Sequence, residues 1–172
     1  MKKIIRTKSS ETLDPSFFRM LFANSQAMCT SFKQDLMNGL HAFGASVIRA
    51  ATTKDSFKAA LYFASASVGA ASTAYTATGE ATGTGYSAGG IAVTNATAPT
   101  TSGTTAFWTP SASLVYSTVS ITAFDAVMIY NDTAAGKNAV SVHTFGSQTI
   151  VAGTFTLTPP ANDASNALLR VA

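Results

Sequence analysis

The chain has 172 residues, and only 11% of them are charged, against about 25% in ordinary globular domains. With 47% apolar residues it lacks the highly charged, weakly hydrophobic composition of a disordered chain, and no apolar run approaches the ~20 residues of a membrane-spanning helix. One cysteine, two histidines and eight carboxylates exclude an internal disulfide framework and leave little material for a catalytic or metal centre, so no enzyme, cofactor or metal is expected.

The charge is unevenly placed. Residues 1–58 hold nine Lys/Arg against four acids, a net +5, whereas residues 59–172 hold two against four, a net −2. A basic end on a nearly uncharged body suits an arm lying on an acidic surface. The basic residues are scattered and lack interleaved aromatics, which favours a protein surface over nucleic acid; no membrane partner is expected either. Met1-Lys2-Lys3-Ile4-Ile5 imitates the start of a signal peptide, but Arg6 and Lys8 interrupt any apolar core. The expectation is a chain made in a reducing cytoplasm with Cys29 as a free thiol.

Residues 1–27 are expected to form an extended arm, and 28–172 a single β domain. Asp14-Pro15 is a plausible helix start within the arm, with Asp as N-cap and Pro in the first turn. Phe17, Phe18, Leu21 and Phe22 then make an apolar stripe beside Arg19, and these five residues are the candidate interface. Ser31-Phe32-Lys33-Gln34 fits a capping box, and Phe32, Leu36, Leu40 and Phe43 follow at helical spacing. The spacing predicts one helix over 31–43, with Gly39 inside it and Gly44 ending it.

From Ser56 the period changes to two. Phe57, Ala59, Leu61 and Phe63 alternate with Lys58, Ala60 and Tyr62, which predicts a strand. Segments 90–95, 104–109, 113–122, 124–130, 138–145 and 149–157 read likewise, and 167–172 could close a sheet. Between Ala64 and Gly90 nearly every residue is small, which predicts a long ordered loop. Asn131–Lys137 is the clearest hairpin loop, and Pro159-Pro160 should stop the strand before it. Short strands separated by turn signals predict a mainly β fold, a β-sandwich or jelly roll with one N-terminal helix.

Candidate chemistry is thin. Gly83, Gly85, Gly89 and Gly90 lack the spacing and the following helix of a dinucleotide loop, so turns and close backbone approach are the better reading. His41 and His143 read as structural residues. Asp125, His143 and a serine could be assembled into a triad on paper, but no nucleophile elbow accompanies them. Glu80 is expected to make a turn hydrogen bond and Asp125 a strand-edge contact. Trp108 and the five tyrosines are expected as core and interface aromatics, with a glycan-stacking surface as the alternative. Asn95-Ala96-Thr97 and Asn131-Asp132-Thr133 match the glycosylation pattern, with little meaning in a chain that is not secreted.

Longer stretches carry a resemblance. They are Cys29-Thr30-Ser31-Phe32-Lys33-Gln34, Phe57-Lys58-Ala59-Ala60-Leu61-Tyr62, Thr78-Gly79-Glu80, Gly83-Thr84-Gly85-Tyr86, Gly89-Gly90, Pro99–Phe107 and Asp163–Ala172. Over residues 28–172 the chain resembles a family of small virion structural proteins of tailed bacteriophages. The resemblance implies a non-enzymatic structural subunit located in the virion and made in the host cytoplasm. A capsid decoration or cement protein is the first expectation, and a neck or tail component such as a fibre-anchoring adaptor the second. A virion glycan-binding module is a third. The implied partners are other copies of itself and phage capsid, neck or tail proteins. Residues 1–27 lie outside the resemblance.

Overall fold

A computed structural model describes residues 34, 36–39, 54–94 and 97–172. The described chain is mainly β, with two antiparallel sheets. The first sheet has the order β2-β1-β5-β6, formed by β1 (Phe57–Phe63), β2 (Ile91–Val93), β5 (Leu114–Asn131) and β6 (Ala139–Leu157). The second has the order β3-β4-β7, formed by β3 (Thr100–Ser102), β4 (Thr105–Trp108) and β7 (Leu169–Val171).

The alternation of β1 sorts its side chains to two faces, and both are covered. Ala59 and Leu61 join Val127, Ile129, Phe124, Tyr116 and Trp108 in the larger core. Ala60 and Tyr62 join Ala126, Met128 and Tyr130 in a second core on the opposite face, closed by Ala66, Val68 and Tyr75 of the small-residue loop. Burial on both faces explains why Ala126–Tyr130 is an unbroken apolar run. The small sheet closes the larger core: Trp108 packs on Phe57 at 6.1 Å between ring centroids and donates from Nε1 to the Thr97 carbonyl at 2.8 Å.

The expected strands 113–122 and 124–130 are one strand, β5, and 138–145 and 149–157 are one strand, β6. The apparent breaks are bulges. Extra residues fall on both partners: β6 at Val140 and at Phe145–Ser147, β5 at Thr122–Ala123, β6 at Val151–Ala152 and β5 at Ser117–Thr118. Thr118, Ala123 and Ala152 have positive φ (55°, 52° and 47°), which re-aims the chain at three of the bulges. The insertions bend and twist the hairpin, and because β6 carries more of them it advances two residues further than β5 between Leu114↔Leu157 and Tyr130↔Ala139. Its loop is held as expected: Asn131 Oδ1 accepts the Thr133 and Ala134 N–H groups, both at 3.0 Å, and Asp132 pairs with Lys58 and Lys137.

β1, β2, β4 and β7 stand where the pattern predicted them, whereas β3 was not foreseen. The helix expected at 31–43 is described only at Gln34 and 36–39. Gln34, Leu36 and Met37 are helical, and the Asn38 N–H donates to the Gln34 carbonyl at 2.9 Å. Gly39 has φ +72°, the left-handed conformation that ends a helical turn, so it is not the helix-interior residue the spacing suggested. The arm at 1–27, with Phe17, Phe18, Arg19, Leu21 and Phe22, lies outside the described residues, as do Cys29 and His41.

Candidate functional site

The loop between β1 and β2 builds the most elaborate polar cluster in the described chain. Glu80 is 5% exposed. Its Oε1 accepts from the Tyr86 hydroxyl at 2.8 Å and the Gly89 N–H at 2.7 Å, and its Oε2 accepts from the Tyr75 hydroxyl at 2.5 Å. Three donors identify the side chain as an acceptor at both oxygens. The other tyrosines complete the cluster. Tyr130 donates to the Gly89 carbonyl and Tyr116 to the Ala59 carbonyl, both at 2.8 Å, and Tyr62 donates to Thr76 at 2.6 Å. Tyr75 stacks on Tyr130 at 4.7 Å, and Tyr86 lies 6.1 Å from Tyr116.

Burial raises the pKa of all five hydroxyls above the usual tyrosine value, with the Glu80 charge adding to the effect; Tyr130 reaches about 12. The phenols therefore stay protonated at neutral pH and act as fixed donors. The turn hydrogen bond expected of Glu80 is the one its carboxylate accepts from the Gly89 N–H, and with Tyr75 and Tyr86 it ties distant parts of the loop to one another. Tyr62, Tyr116, Tyr130 and Trp108 are buried, so they do not form an exposed stacking platform. No buried side-chain nitrogen or oxygen among the described residues lacks a hydrogen-bond partner.

The glycines serve the same loop. A Cβ on Gly83 would sit 1.9 Å from the Ser120 carbonyl oxygen, and one on Gly85 2.1 Å from that of Thr118. The Ser120 N–H donates to the Thr84 carbonyl at 2.8 Å, so this stretch lies backbone to backbone along the distal half of β5. Earlier in the loop, Gly79 accepts from the Phe63 N–H and Ala81 donates to the Leu61 carbonyl, covering the end of β1. The glycine-rich stretch covers a strand edge, and the close backbone approach expected of its glycines is what lets it do so.

His143 lies on β6, opposite Val127, and lines a groove of about 320 Å³ with Leu114, Phe145, Leu157, Pro159 and Leu168. Its Nε2 is 2.9 Å from Ser141 Oγ, and burial holds its pKa below the ordinary value, so the ring is neutral at pH 7. No hydrogen bond or ion pair joins His143 to a carboxylate among the described residues, so the triad on paper is not assembled. Asp125 sits on the interior strand β5, not at a sheet edge. It is the extra residue where pairing with β1 shifts between Phe124 and Ala126, an interruption that accommodates a charged side chain. No cluster of three or more His, Cys, Asp or Glu able to hold a metal ion occurs among the described residues. Asn131 is committed on both sides, since its Nδ2 donates to Asp55 at 2.6 Å while its Oδ1 caps the turn.

Strand β6 is the feature that residue-by-residue reading missed. It is the last strand of its sheet and runs 19 residues. Thr144, Ser147, Thr149, Val151, Thr154 and Thr156 are exposed, with Val151 at 78%. The signal was present in the sequence: residues 138–162 contain no Asp, Glu, Lys or Arg. No family model, curated protein or solved structure matches this chain.

Proposed function

We propose that the protein is a non-enzymatic structural subunit of a bacteriophage particle, a capsid decoration or cement protein, with its two sheets as the layers of a small sandwich or jelly roll. The observation that carries the reading is β6: a long, exposed, uncharged strand on a body whose buried side-chain polar atoms, among the described residues, all have partners. Centres of protein–protein contacts are depleted in charge, and a Thr- and Ser-rich strand suits repeated flat contact. The sequence resemblance supplies the phage setting. In this reading the basic arm lies on an acidic neighbouring protein, with Phe17, Phe18, Leu21 and Phe22 filling a groove and Arg19 at its rim.

The test is the copy number of the protein in purified particles, measured by quantitative mass spectrometry. Hundreds of copies per particle support the capsid role, and a dozen or fewer place it at the neck or tail instead. Absence from particles overturns the structural reading.

A further inference from the structure

The described residues cover the sheet edges unequally. β1 is flanked by β2 over Phe57–Ala59 and by the Gly79–Ala81 backbone farther on. The distal half of β5 is flanked by Thr84, bridged to Ser120. The beginning of β6 is covered too: Ala139 donates to the Thr73 carbonyl at 3.0 Å, and Tyr75 donates to the Lys137 carbonyl at 2.9 Å. Beyond Ala139, no strand or bridge among the described residues lies on the side of β6 away from β5. The remaining edge strands, β2, β3 and β7, have three residues each and offer too little backbone to template a partner.

Proteins normally blunt an open edge with Lys, Pro, inward-pointing charge, β-bulges or a very short strand. β6 has neither charge nor proline over 19 residues, and its first proline follows at 159. Its irregularities are the extra residue Val140 and the bulges at Phe145–Ser147 and Val151–Ala152, between which Ser141–Thr144 stays in unbroken register with Ile129–Ala126. We infer that β6 pairs edge to edge and antiparallel with β6 of a second copy, with the twofold axis near Ser141–Thr144.

A second copy is the occupant the chemistry selects. An antiparallel edge is complementary to itself under a twofold axis, because each donor meets the acceptor of its symmetry mate. Self-pairing also places like residues near like, which a charged strand would resist and an uncharged one does not. The two four-stranded sheets then join into one eight-stranded sheet with no open long edge. The inference rests on the structural-subunit reading for its setting and on β6 alone for its chemistry.

The experiment is sedimentation equilibrium of the full chain and of Thr144→Lys, with hydrogen exchange of the unaltered chain at several concentrations. Thr144 is exposed, and lysine is the residue that natural edges use to refuse a partner. The expected result is a dimer whose dissociation constant rises at least ~10-fold in the variant while its thermal melt is unchanged. Exchange at Ser141–Thr144 should slow as concentration rises, a readout that stands even if the variant fails to fold. A monomeric native chain, a dimer indifferent to Thr144→Lys, or exchange on β6 independent of concentration overturns the inference. The two readings fail separately: a monomer found in particles defeats edge pairing alone, and an edge-paired dimer absent from particles defeats the structural role alone.

Discussion

Replacing Glu80 by alanine removes the acceptor of three hydrogen bonds at once. The Gly89 N–H is the most costly orphan, because Gly89 is buried and its amide has no route to water. An unsatisfied buried donor costs about 1–3 kcal/mol. Tyr75 and Tyr86 are half-buried, so each hydroxyl can recover part of its loss from water, at about 1 kcal/mol apiece. The sum is about 3–5 kcal/mol, or a melting temperature lowered by roughly 6–20 °C in a chain of this length. Glu80→Gln should cost less, about 1–2 kcal/mol, since an amide oxygen can still accept from Tyr86 and Gly89 while Tyr75 reverses its hydroxyl to accept from the new NH₂. Urea unfolding of the three proteins, read by circular dichroism, gives the comparison if the slopes remain equal. A Glu80→Ala protein within about 0.5 kcal/mol of the native one, the ordinary range for a surface substitution, would refute the claim that this side chain holds the loop together.

Gly83→Ala should be strongly destabilising, by more than about 2 kcal/mol, because the new Cβ meets the Ser120 carbonyl oxygen at 1.9 Å and backbone must move on one side or the other; equal denaturation midpoints for variant and native protein would show that the loop lifts off β5 at little cost. The pH dependence follows from the tyrosines. Their folded pKa values are raised above the ordinary value near 10, so the unfolded chain loses protons first on the alkaline side. Their contribution to stability is complete below about pH 10 and is lost as pH rises through the folded values. Tyrosinate absorbance should therefore appear together with loss of the β-sheet signal, and smooth ionisation of all five at about pH 10 in a still-folded protein would contradict the buried network.

Strand positions on β1, β4 and β7, the ordered loop 64–90 and the hairpin turn at Asn131 were legible in the sequence, because each rests on local rules. Alternation sets which face a side chain takes, and an asparagine caps a turn wherever the chain reverses. The glycine-rich stretch was also legible as close-approach backbone, although its partners, the Ser120 and Thr118 carbonyls, were not. Local signals misread the long hairpin as four strands, since a bulge at Ala123 or Gly146 looks like a turn until a partner strand runs past it.

The gathering of the five tyrosines belongs to the tertiary structure alone. Tyr62, Tyr75, Tyr86, Tyr116 and Tyr130 stand on two strands and a loop, and only sheet pairing and the fold of the loop bring them to Glu80. The uncharged run of residues 138–162 shows the division most plainly. The sequence by itself determined that this stretch would carry no charge. Only the order β2-β1-β5-β6 decided that it would be the outer strand of the described sheet instead of a central one, because an edge is defined by which strand lacks a second neighbour and no residue encodes that alone.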